Sequence, residues 1–249
     1  MGYVRRPCAR AVAIGLSLVL TATGALAGED ASARIKALAP DFHTYRPDRP
    51  GPFPALMFVS GCLGFAPASA PHAYTSLAET WKAKGYVVIF VDYLAAQGMQ
   101  QCSGAVTAED IGKDVIAVAH YLDGQHYIDK TRISAFGWSL GGAAVLSAID
   151  ESGADKSSPL RSVVAYTPVC SALSPWSGRV PALVLLGADD PLANPVLCQQ
   201  LVAQLAPGMQ VEAKVYPHAG HVFDLAGAHG YDEAASAAAA DEVNRFMSQ

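Results

Sequence analysis

Short stretches dominated by apolar residues recur along the chain: ALMFVS (55–60), YVVIFVD (86–92), RISAF (132–136), RSVVAY (161–166), ALVLLG (182–187) and VEAKVY (211–216). Their length and β-branched content predict strands. Between them the spacing becomes helical. HAYTSLAETWKAKG (72–85) predicts a helix with Pro71 in its first turn and Gly85 at its C-terminal cap. TAEDIGKDVIAVAHYLDG (107–124) predicts another, capped by Thr107, with Ile111, Val115, Val118 and Leu122 on one face. Further helices are expected over Leu140 to Ile149, around 196–205 and over 231–247. Strands that read as continuous apolar runs are covered on both faces, so this alternation predicts an α/β fold with a parallel sheet between helices. In such sheets ligands sit at the carboxyl ends of the strands.

The first 27 residues follow a different pattern. Arg5, Arg6 and Arg10 precede the apolar run AVAIGLSLVL, and ALA closes the segment at 25–27. A basic start, a short apolar core and a small-x-small end predict a secretory signal peptide over 1–27. The expected domain is then 28–249, in the periplasm or secreted. Seventeen basic and 22 acidic residues give a net charge of −5, and losing the three leader arginines takes it to −8. With no basic patch, neither nucleic acid nor an anionic membrane is an expected partner. Cys62, Cys102, Cys170 and Cys198 remain after processing, an even number that suggests disulfides in an exported protein.

Candidate chemistry begins at ISAFGWSLGGAAVL (133–146), where Gly137, Ser139 and Gly141 form G-x-S-x-G between a predicted strand and a predicted helix. On such a corner the pattern is a nucleophile elbow: the tight turn exposes the serine hydroxyl, and the helix start aims free N–H groups at the same spot. A serine needs a base. His221 and His218 both lie in VYPHAGHVFD, after the last strand, and His221 is the better placed. Their spacing would suit a metal, but no third ligand is evident, and no metal or organic cofactor is expected. An acid must orient the imidazole. Between Ser139 and His221 only GADDP follows a strand at its carboxyl end, which leaves Asp190 and Asp189, with Asp190 favoured and Asp92 as the fallback. The oxyanion donors are expected to be the N–H of Leu140 and, from SGCLGF, that of Cys62 or else Leu63.

From about Tyr45 to Gln249 the chain resembles the dienelactone-hydrolase-like branch of the α/β-hydrolase superfamily. The pieces that carry the resemblance are YRPDRPGPFPALMFVSGCLG, VDYLAAQG with the Cys that follows it, AFGWSLGG, YTPVC, LLGADDP and YPHAGHVFD. It implies the α/β-hydrolase fold, a mostly parallel central sheet with helices on both faces. Three positions depart from the family pattern: Ser139 stands where dienelactone hydrolase has a cysteine, Ser60 where the oxyanion loop usually has His, and Gln97 where an Arg is usual. The segment before Tyr45 is also short for the usual leading strands. GWSLGG alone is also similar to polyester hydrolases and cutinases. In the implied sheet the loops carrying Cys62 and Cys102 are neighbours, as are those carrying Cys170 and Cys198, which predicts the disulfides Cys62–Cys102 and Cys170–Cys198.

Together these expectations describe a monomeric serine hydrolase. Ser139, His221 and Asp190 would cleave a small-molecule carboxylic ester through an acyl-enzyme. The alternatives are an acyltransferase or peptidase on the same residues, or a silent binding protein.

Overall fold

A computed structural model describes residues 22–249 except 105, 155–157, 176, 178–179 and 206. Seven strands share one sheet: β1 (Thr44–Tyr45), β2 (Phe53–Val59), β3 (Val87–Phe90), β4 (Ile128–Trp138), β5 (Leu160–Tyr166), β6 (Ala182–Gly187) and β7 (Val211–Tyr216). Their order is β1-β3-β2-β4-β5-β6-β7. β1 pairs antiparallel with β3, and every other pair is parallel. β2, β3 and β6 are buried along their whole length, as their unbroken apolar sequences require.

Six α-helices cover the sheet: α1 (Ala22–Leu38), α2 (Ala73–Ala83), α3 (Ala108–Asp123), α4 (Leu140–Ala154), α5 (Pro195–Ala203) and α6 (Glu233–Phe246). The two-residue period of the strands divides the core in two. Ala55, Met57 and Val59 of β2, with Val184 and Leu186 of β6, pack with Leu38, Ile111, Val115, Ala144 and Cys198 from α1, α3, α4 and α5. Leu56 and Phe58, with Leu183 and Leu185, pack on the other face with Tyr74 and Trp81 of α2 and Ala239 and Val243 of α6.

Local signals explain the helix ends. Thr107 accepts the Asp110 N–H as N-cap of α3. After α2, Gly85 takes a left-handed φ of 93°, and the N–H groups of Gly85 and Tyr86 return to the carbonyls of Lys82 and Trp81. Pro71 lies ahead of α2, whose N-cap is His72, rather than in its first turn. β4 starts four residues before the predicted RISAF, because Ile128 pairs with Phe53 while the polar Asp129, Lys130 and Thr131 obscure the apolar pattern.

α1 has no counterpart in the sequence reading. Leu38 is buried at its end, and Arg34 bonds Asp114 Oδ1 at 2.8 Å and the Asp110 carbonyl at 3.2 Å on α3. The helix runs through residue 27, the expected processing point. The remainder of the proposed leader, residues 1–21, lies outside the described residues. Among the described residues no helix is long and apolar enough to cross a membrane.

Candidate active site

The end of β4 and the start of α4 meet at Ser139, whose backbone is left-handed, φ 55°. Two glycines make that corner possible. A Cβ on Gly137 would collide with the Gly141 carbonyl, and one on Gly141 with the carbonyls of Val59 and Ser60. The serine is held from both sides: its N–H donates to the Tyr166 carbonyl at 3.0 Å, and its carbonyl accepts from Ala143 and Val169 at 3.1 Å each. Leu140 is the first residue of α4, so its N–H is among those a helix start leaves without an intrahelical partner.

The loop after β7 brings His221 to this corner. Its Nε2 lies 2.9 Å from Ser139 Oγ, and its Nδ1 lies 2.8 Å from Asp190 Oδ2. Asp190 comes from the turn after β6. Its other oxygen accepts the N–H groups of Leu192 and Ala193, both at 2.8 Å. Burial pushes the Asp190 carboxyl up, but the His221 hydrogen bond and the two backbone N–H groups outweigh it and hold the group below the ordinary carboxylate value. With Asp190 ionised and accepting, Nδ1 carries the proton and Nε2 is free to accept from the serine hydroxyl. Thr167, fully buried just after β5, steadies the loop: its Oγ1 accepts the Val222 N–H at 3.2 Å.

The competing residues fall together elsewhere. Asp189 and His218 face each other on the rim, Oδ2 to Nδ1 3.7 Å, with side chains 67% and 88% exposed. Asp92 accepts the Ala95 N–H in a turn.

The loop after β2 lies against the serine, where a Cβ on Gly61 would stand 3.0 Å from Ser139 Cβ. Its carbonyls are engaged away from that contact. Tyr93 Oη donates to Ser60 and Gly61, at 3.3 and 3.1 Å, and the Cys102 N–H donates to Cys62 at 2.9 Å. Disulfides join Cys62 to Cys102 and Cys170 to Cys198. Ser60 Oγ is buried with no hydrogen-bond partner among the described residues, so it takes no part in holding the loop. Gln97 bonds the Tyr93 carbonyl and lines a groove beside α1. The sequence reading missed both Tyr93 and Thr167. Each acts on backbone of a distant loop; VDYLAAQG contains Tyr93 and YTPVC contains Thr167, but neither stretch showed what its residue holds.

A cavity of about 710 Å³ opens in front of Ser139. Leu63, Pro67, Tyr74, Leu192, Leu225 and Tyr231 supply much of its wall, and none of the described lining residues is Lys or Arg. Leu63 and Leu192 at its mouth are 61% and 72% exposed. Among the described residues no group of three or more His, Cys, Asp or Glu could hold a metal.

A model of the dienelactone hydrolase family matches residues 41–249, which include every residue of this site and leave α1 outside. The chain belongs to the dienelactone hydrolase family. As a dienelactone hydrolase family member with the α/β-hydrolase fold, it is an esterase-like hydrolase. Solved structures share that fold at low identity. One is a candidate dienelactone hydrolase from Klebsiella pneumoniae subsp. pneumoniae (20% identity, 84% of this chain and 92% of that one, TM-score 0.69). A second is a dienelactone hydrolase-like promiscuous phosphotriesterase from metagenomic libraries (20%, 83% and 91%, 0.62). A third is esterase 2 of Thermogutta terrifontis phosphorylated by paraoxon (17%, 82% and 85%, 0.61).

Proposed function

We propose that this protein is an exported serine esterase acting on small uncharged esters with an apolar acyl or alkyl group. The reading is carried by the unbroken chain of hydrogen bonds from Asp190 through His221 to Ser139 at the floor of an open, mainly apolar cavity. In the first half-reaction Ser139 Oγ attacks the ester carbonyl carbon while its proton passes to His221 Nε2. Asp190 keeps Nδ1–H in place and stabilises the imidazolium. The N–H groups of Leu140 and Cys62 receive the negative oxygen, an interaction that strengthens only as charge develops. His221 then gives its proton to the departing alcohol, leaving an acyl-serine. A water entering through the open cavity loses a proton to His221 and attacks the acyl carbon. The acid leaves, and the hydroxyl of Ser139 is restored.

The wall supports the substrate class. Covering the exposed Leu63 and Leu192 favours an apolar group, whereas a carboxylate there would meet no Lys or Arg among the described lining residues and would face Asp189. The paired cysteines and the basic–apolar start of the sequence support export to the periplasm or beyond.

The test combines a covalent probe with a variant. Paraoxon, which phosphorylates a structural relative, is expected to modify wild type at Ser139 in a 1:1 ratio and to leave Ser139→Ala unmodified. The variant is expected to lose several orders of magnitude in p-nitrophenyl butyrate hydrolysis with the fold kept. Activity within about tenfold of wild type would overturn the reading.

A further inference from the structure

Three residues beyond His221, a carboxyl group sits inside the protein with no place in the reaction above. Asp224 Oδ2 accepts the indole N–H of Trp138 at 2.7 Å. Its Oδ1 is sealed from solvent and has no hydrogen-bond partner among the described residues. Leaving a carboxylate oxygen in that state is costly, so the position needs a reason. Trp138 is wholly buried, stacked on Tyr166 at 5.2 Å and met edge-on by Tyr74 at 4.9 Å. It is also the residue immediately before Ser139. The indole bond therefore joins the strand that ends at the nucleophile to the loop that carries the base.

That loop is under strain. Val222, between His221 and Asp224, has φ 52°, where a β-branched side chain is poorly accommodated. Such backbone persists only where its surroundings impose it. Two anchors flank it: Thr167 Oγ1 on the Val222 N–H, and the Trp138 indole on Asp224.

We infer that Asp224 is a positioning residue that, through the Trp138 indole, fixes the His221 loop against the strand that ends at the nucleophile. This rests on the reading of Ser139 and His221 as nucleophile and base. Burial raises the Asp224 carboxyl to about 7, against the lowering pull of the Trp138 bond, its own backbone and His221. The other ionisable groups around it are the buried phenols of Tyr74 and Tyr166, with Tyr216 beside Tyr166. All three are pushed up by burial and stay neutral at working pH. The charge that Asp224 can present is thus governed by its own proton.

Three variants test this with p-nitrophenyl butyrate, each also titrated with paraoxon and checked for fold by circular dichroism. Asp224→Ala removes acceptor and charge, and Trp138→Phe removes the donor while keeping an aromatic ring. Both are expected to lose about 10- to 100-fold in kcat with KM within about threefold, the scale of a slightly misplaced catalytic group. Asp224→Asn keeps an acceptor for the indole, so its kcat at pH 8 should stay within about fivefold. Asp224→Asn as slow as Asp224→Ala, Trp138→Phe at wild-type kcat, or a change confined to KM would each overturn the inference. If Trp138→Phe or Asp224→Ala does not fold, the one that folds is compared with Asp224→Asn, and if neither folds, Asp224→Leu, close in size but without an acceptor, takes their place with the same expected loss. Failure of paraoxon to label wild type would remove the underlying reading as well, whereas normal labelling with unaffected variants would sink only the role of Asp224.

Discussion

Removing the Cys62–Cys102 disulfide should damage catalysis, whereas removing Cys170–Cys198 should damage stability alone. The two bonds close segments with sequence separations of 40 and 28. Loop-closure entropy converts these to roughly 4 and roughly 3.5 kcal/mol, so Cys62→Ser/Cys102→Ser and Cys170→Ser/Cys198→Ser should show similar drops in unfolding free energy. Their surroundings differ. Cys62 lines the cavity beside Ser139, in the loop assigned an oxyanion donor. Without the bond, that loop loses its covalent tie, and among the described residues its carbonyls are held from outside by the Tyr93 hydrogen bonds and the Cys102 N–H. Losing an oxyanion donor outright costs about 10²–10³ in kcat. A loosened donor should cost less, about 10-fold or somewhat more. Cys170 and Cys198 tie the start of a short turn to α5 behind the site, so that double variant should keep kcat within about threefold. Guanidinium unfolding gives the first quantity and p-nitrophenyl ester kinetics the second. Equal loss of kcat in both variants, or none in the first, would refute the view that the disulfide serves the oxyanion loop.

Other expectations concern single side chains. Asp190→Asn should lower kcat by about 10³ or more, because the imidazole takes the wrong tautomer, while Asp189→Asn, on the rim with His218, should change it less than about threefold. Leu192→Arg supplies the missing cation: p-nitrophenyl hydrogen succinate should gain at least several-fold in kcat/KM relative to the butyrate ester, an effect that shrinks with added salt. Stability should also respond to Asp224. Its folded carboxyl is raised to about 7, whereas the unfolded chain ionises near 4, so the folded state binds the extra proton and stability falls as pH rises between those values. Thermal scans should therefore show Asp224→Asn gaining on wild type from pH 5 to pH 8, and an unchanged difference would contradict it.

Most of the strands and helices could be read directly: β2, β3 and β6 are buried along their whole length and carry no polar interruption, and the remaining strands keep enough apolar residues to stand out between helical stretches. β4 began early because Ile128 pairs with Phe53, seventy-five positions away, ahead of the polar Asp129, Lys130 and Thr131, a contact invisible locally. α1 escaped notice because its start was read as the end of a leader and, among the described residues, its packing rests on Ile35 and Leu38 with Arg34 reaching α3, too little to leave a periodic signature. Ser139, His221 and Asp190 were legible since chain order and strand ends constrain them. The preference for Asp190 over Asp189 rested on less, because adjacent residues in a turn differ mainly in direction and only the Pro191 after Asp190 tells them apart in the sequence. Trp138 and Asp224 stood inside quoted motifs, yet their bond spans 86 positions and depends on how two loops close.

Leu192 serves two masters with different parts of itself. Its backbone N–H holds the Asp190 carboxylate, while its side chain stands mostly in water at the cavity mouth. Any residue except proline supplies the same N–H, so the side chain can change without touching the acid. Leu63 offers similar latitude, being exposed on a loop tied down by its neighbours' carbonyls. Substitutions at such exposed positions cost a fold little. Selection, natural or directed, can therefore recut the mouth for new leaving groups in single steps, and a library confined to positions 63 and 192 should yield a high fraction of folded, reactive proteins with altered ester preference.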